Sequence, residues 1–190
     1  MVARGDHSGS TAHYGLITPT HIVIANIGDS RGVLCSDGRV IEMSTDHKPD
    51  LVLCSWSPCM HSSALGLQPT EAARIQRAGG RVVSIGGCPR VNGDLAVRKN
   101  RLCSCGFEWW SSVLQLSRAL GDFRFKASRL ADVEQMVSPE AELKVWERTS
   151  KDEFLLMACD GIWDVMTSAS AVSFLKEVAN LYIYSICMHL

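Results

Sequence analysis

The chain has 190 residues, 46% hydrophobic and 21% charged, which is enough for one sizeable core and ordinary for a globular protein. Its formal net charge of −1 offers no field to gather nucleic acid or an anionic membrane, so neither is expected as a partner. No stretch approaches the ~20 apolar residues of a membrane helix, the first residues lack the apolar core of a secretory signal, and the eight cysteines read as thiols of a reducing compartment, cytoplasm or nucleus.

Residues 10–17 and 21–27 read as two strands joined at Thr18-Pro19-Thr20, a hairpin-sized turn. Gly28-Asp29-Ser30 punctuates the pattern before a strand over 31–36. Asp37-Gly38 then signals a hairpin back into 39–43, so the first 45 residues read as an antiparallel meander. Asp6-His7 lies too close to a fraying terminus to serve as a metal pair. After a polar loop at 45–49, Pro69-Thr70-Glu71 opens a helix, with an acid near the positive end of its dipole. The helix closes at Gly79-Gly80. Strands follow at 81–85 and 90–97, separated by residues 86–89.

Residues 116–120 form an element ending at Gly121-Asp122, and the alternating charges of 126–138 predict a surface excursion. A strand is expected over 140–147. The unbroken apolar run 154–159 predicts a strand buried on both faces. It ends at Asp160-Gly161, where glycine would permit a sharp turn, and a second carboxylate, Asp164, follows four residues later. Such a strand can deliver a metal ligand rigidly, although an Asp-Gly turn is common in any protein. Thr167 or Ser168 caps a helix whose apolar face is Ala171, Val172, Leu175, Val178 and Ala179. The element pattern predicts an α+β antiparallel β-sandwich flanked by helices.

Four segments stand together in one order: Asn26-Ile27-Gly28-Asp29-Ser30-Arg31-Gly32-Val33-Leu34, then Asp46-His47-Lys48-Pro49, then Ser117-Arg118-Ala119-Leu120-Gly121-Asp122-Phe123, and finally Ala158-Cys159-Asp160-Gly161-Ile162-Trp163-Asp164-Val165-Met166. Shorter matches accompany them at 8–12, 74–80, 90–97 and 137–140. Each motif alone is common, but the ordered set is specific. It resembles the metal-dependent serine/threonine protein phosphatases of type 2C over most of the chain.

The resemblance implies two antiparallel sheets packed face to face with helices outside them. It also implies an active site at one end of the sandwich, where carboxylates hold two or more magnesium or manganese ions. A metal-bridging water would attack the phosphorus of phosphoserine or phosphothreonine in a phosphoprotein substrate. Asp160 falls on a metal-coordinating aspartate of the family. Asp29 and Asp164 fall on positions resembling ligands of a further, more weakly held metal. Asp122 and Arg118 fall on positions expected to support the fold.

The departures count against activity. The family begins with a phosphate-gripping arginine, a Glu-Asp pair and an Asp-Gly-His strand end whose aspartate bridges the metals. This chain starts beyond all of these, because Gly5-Asp6-His7 directly precedes Ser8-Gly9-Ser10 and so occupies a later position. The family's closing Asp-Asn motif is also missing, since Asp164 is the last aspartate. The expectation is one phosphatase domain truncated at both ends, with no catalytic residue assigned, monomeric, and weak or inactive alone. A non-catalytic, phosphatase-like binding or regulatory module is the alternative. Residues 50–68 and 98–116 read as insertions and 179–190 as an atypical tail. Cys54, Cys59, His61, Cys103 and Cys105 could in principle hold zinc, but their spacings are not those of ribbons or fingers. Inserted sequence without a metal role is therefore the expectation.

Overall fold

A computed structural model describes residues 8–49, 71–92 and 113–187, with side chains described as far as 179. The strands are β1 (Gly9–Ser10), β2 (Ala12–Ile17), β3 (His21–Ile27), β4 (Arg31–Ser36), β5 (Arg39–Glu42), β6 (Arg81–Ile85), β7 (Cys88–Asn92), β8 (Val113–Leu114), β9 (Leu120–Gly121), β10 (Glu142–Glu147) and β11 (Asp152–Ala158). The helices are α1 (Glu71–Arg77), α2 (Asp160–Trp163) and α3 (Ser168–Cys187). They fall into two compact units, Met1–Ala12 with His47–Ala141 and His13–Asp46 with Glu142–Leu190.

The second unit holds two three-stranded antiparallel sheets, ordered β10-β3-β2 and β11-β4-β5. Strand β4 explains the layering, because its side chains alternate between two cores. Val33 and Cys35 pack with Trp163, Ala171 and Val172 of the helices, while Leu34 packs with Ile22, Ile24 and Met43 toward the other sheet. The order of layers is therefore helix, sheet, sheet. Asp37 and Gly38 both take positive φ (53° and 72°), giving the tight β4–β5 turn that Asp-Gly signals.

The first unit gathers α1, the β6-β7-β8 sheet and the short β1-β9 ladder. Its core is Ile75, Ala78, Val91, Ala119, Phe125, Met136 and Val137. Helix α1 ends in a Schellman pattern, with Gly79 N–H donating to Gln76 O (2.9 Å) and Gly80 N–H to Ile75 O (2.9 Å).

The expected antiparallel α+β architecture holds, with several local corrections. The meander breaks at residues 28–30, since β3 and β4 belong to different sheets; their partners β10 and β11 come from far along the chain. The apolar run at 154–159 lies in β11, at the edge of its sheet and half-buried, while the strand buried on both faces is the central β4. Gly161 does not make a left-handed turn; it lies within α2, and the change of direction falls at extended Cys159 (φ −84°, ψ 177°). Nor is 126–138 a surface excursion throughout. Met136 and Val137 are fully buried, and the Gln135 side chain bonds Ala127 N–H (2.7 Å), Ala127 O (2.9 Å) and Leu130 O (2.7 Å). The α3 face buries Ala171 and Val172, half-buries Leu175 and Val178, and leaves Ala179 exposed. Asp6, His7, Cys54, Cys59, His61, Cys103 and Cys105 lie outside the described residues, as does nearly all of both expected insertions.

Candidate functional site

The β11–β4 register brings the candidate acids together along the backbone. Ala158 pairs with Arg31, so Asp29, two residues before Arg31, and Asp160, two residues after Ala158, leave the same end of one sheet. Asp164 follows one helical turn later, its N–H donating to Asp160 O at 2.8 Å. Their exposures differ: Asp29 is buried, whereas Asp160 and Asp164 face solvent. Asp29 sits in the corner where the chain passes from one sheet to the next, made possible by Gly28 at φ 107°. Short α2 is folded back on its own strand, because buried Trp163 donates its indole N–H to Ala158 O at 2.7 Å.

Two side chains frame this end. The Arg31 guanidinium makes a fork on Asp46, with Nε to Oδ1 at 2.9 Å and Nη2 to Oδ2 at 2.8 Å. It also donates to Ser168 Oγ (3.2 Å) at the start of α3 and lies 5.2 Å from the Trp163 ring centre. The hydrogen bond to Asp46 is the main reason its pKa is raised, against the opposing effect of burial. Asn26, fully buried near the end of β3, donates to Gly28 O (3.2 Å) and Thr45 O (2.9 Å) and bonds His13 Nδ1 through Oδ1 (2.8 Å). Asn26, Arg31 and Asp46 stand within the motifs, but the sequence alone marks none of them for a role. A polar amide one position from the end of the apolar run 22–27 was the available signal.

The first unit carries a separate charged cluster around α1. Buried Arg74 donates to Gln135 O, Met136 O, Ser117 O (2.8 Å) and the Glu71 carboxylate. Arg118 shares Glu71 (3.0 Å) and donates to Glu140 O (3.1 Å). Burial pushes the Glu71 carboxyl up, but the Arg118 hydrogen bond and the Arg74 charge more than offset it, leaving it below the usual range. Burial pushes Arg74 down. These bonds tie Arg118 to α1 through Glu71 and to the chain at Glu140. Asp122, in the left-handed region at φ 49°, packs its carboxylate against the backbone of Gly9. Asp122 belongs to the first unit, the three acids to the second.

Three aspartates are hard oxygen donors, the chemistry that suits magnesium or manganese. Among the described residues, however, no three His, Cys, Asp or Glu side chains are placed to hold one ion. Asp29, Asp160 and Asp164 nevertheless bring three such oxygen donors to one sheet end. No helix among the described residues is long and apolar enough to cross a membrane.

A family model described as protein phosphatase 2C matches residues 2–53 and 65–185. Protein phosphatase 1B of Mus musculus is 40% identical over 173 residues, covering 90% of this chain and 34% of that protein. Protein phosphatase 2C 3 of Arabidopsis thaliana is 38% identical over 175 residues, covering 92% and 29%. Among solved structures, a serine-threonine phosphatase 2C from Toxoplasma gondii superposes with a TM-score of 0.63 at 25% identity, over 88% of this chain and 46% of that one. A C. elegans sex determining protein superposes at 0.56 with 26% identity, over 84% and 28%. The chain thus spans less than half the length of each of these relatives. With the motifs, the facing antiparallel sheets and the family match in agreement, the chain belongs to the protein phosphatase 2C family.

Proposed function

We propose that the protein is a metal-dependent serine/threonine protein phosphatase, a hydrolase that removes phosphate from phosphoserine and phosphothreonine in phosphoproteins. The observation that carries this reading is the β11–β4 register, which delivers Asp29 and Asp160 to one sheet end inside a chain of this family. Magnesium or manganese is the cofactor the family implies. Asp160, Asp29 and Asp164 are the proposed ligands among the described residues. Phosphoproteins are the proposed partners, with a monomeric protein in the cytoplasm or nucleus.

The test is phosphate release from a phosphothreonine peptide, with and without manganese, for the protein and for Asp160→Asn. Weak turnover that needs manganese and falls to background in Asp160→Asn is the expected result for this chain alone; turnover indifferent to both would defeat the reading. A second reading is a non-catalytic phosphatase-like module. Saturable phosphopeptide binding by the 190-residue chain without any turnover would select it.

A further inference from the structure

We infer that Asn26, held in orientation by His13, is a positioning residue for the corner that presents Asp29; this rests on the phosphatase reading above. Both amide protons of Asn26 go to backbone carbonyls, Gly28 O (3.2 Å) and Thr45 O (2.9 Å). One lies immediately before Asp29 and the other immediately before Asp46, whose carboxylate grips Arg31. A single buried side chain thus ties the corner between the sheets to the loop that anchors the first residue of β4. With both donors spent, Asn26 Oδ1 must accept, so the network assigns the proton of His13 to Nδ1.

The other ring nitrogen, His13 Nε2, is buried with no hydrogen-bond partner, as suits the unprotonated nitrogen of that tautomer. It packs on β4 so closely that a Cβ on Gly32 would stand 2.8 Å from it. The ring is therefore wedged against the strand that begins just after Asp29, and its seat fixes which way the Asn26 amide points. Asn26 also pairs in register with Glu142, and Glu142 accepts from Thr45 Oγ1 at 3.3 Å, closing the network on the β10 side. Nothing else in the unit reaches both carbonyls from one side chain among the described hydrogen bonds. A residue there that can accept from His13 but cannot donate would leave both carbonyls facing an oxygen.

Asn26→Asp makes that change with almost no change of shape, and His13→Gln is a milder companion that keeps an N–H donor near Asn26. The readouts are amide hydrogen exchange of the full chain and steady-state turnover of the phosphothreonine peptide. In Asn26→Asp, the amides of Asp29 to Arg31 are expected to exchange about tenfold faster while those of α3 keep their protection. Where the wild type turns over, kcat falls by a similar factor with KM for the peptide unchanged, and His13→Gln shows the same pattern more weakly. Unchanged exchange at 29–31, or an equal loss of protection throughout both sheets and α3, overturns the positioning role. A wild type without turnover defeats the phosphatase reading alone, since the exchange comparison still decides what Asn26 does.

Discussion

Arg31 shows how one side chain can hold several segments. Its fork on Asp46, its bond to Ser168 and its place over Trp163 join β4, the following loop, α2 and α3. Lysine can keep the charge but cannot reproduce the planar fork or the stack. Arg31→Lys is therefore expected to lower stability by about 1–3 kcal/mol, measured by urea unfolding. Asp46→Asn in the same background should add much less than it costs alone, because the two changes break one contact. Additive losses would mean the pair is not coupled.

Asp122 gives a pH prediction at the same scale. Burial raises its pKa, only partly opposed by the charges of Arg124 and Lys126. A carboxyl with a raised folded-state pKa binds more protons folded than unfolded, so its contribution is favourable at low pH and is lost as pH rises through the folded value. The window opens at about pH 4, near the ordinary aspartate value, and extends upward to that raised value. Asp122→Asn keeps a residue that tolerates the left-handed backbone and removes the charge. Unfolding measured from pH 4 to 7 should show the variant losing less stability than the wild type across this window; parallel curves would refute the assignment.

At the scale of elements, what was legible in the sequence was local. Asp37-Gly38 and Gly79-Gly80 fix turns through their own backbone preferences, and the structure uses both as expected. The corner at 28–30 was not legible, because whether β3 and β4 share a sheet depends on β10 and β11 arriving from more than a hundred residues away. The stretch around Gln135 was misread for a related reason. Its polar side chain is satisfied by a loop that composition cannot reveal, which lets Met136 and Val137 enter the core. The shared end of Asp29 and Asp160, by contrast, could be inferred from motif order.

The same element, α1, depends on a buried ionic cluster instead of on its length. A seven-residue helix has little intrinsic stability. Arg74 compensates by satisfying carbonyls at 117, 135 and 136 while pairing with Glu71. Removing the arginine leaves half-buried Glu71 with Arg118 as its remaining cationic partner and takes a donor from the carbonyls of Gln135 and Met136. Arg74→Met is thus expected to cost about 3–5 kcal/mol in chemical unfolding. A change below 1 kcal/mol would show that the cluster is replaceable by apolar packing, as some buried ion pairs are.

Across the second unit as a whole, the two sheets are not treated alike. The β11-β4-β5 sheet has helices on its outer face, and the β10-β3-β2 sheet has none among the described residues. Alternation turns Ile22 and Ile24 inward and leaves Leu143 and Val145 outward, opposite Ala25 and Val23. Gly15 faces Ile24, so its neighbours Tyr14 and Leu16 join the outer face. Tyr14, Leu16, Leu143 and Val145 are between 61% and 68% exposed, a contiguous apolar surface of the kind that drives association when bare. Leu143→Lys with Leu16→Gln should therefore reduce binding of a hydrophobic dye, with Tm nearly unchanged because neither side chain is buried. A large fall in Tm would instead mean that this face already packs against protein, and the layering described for this unit would be incomplete.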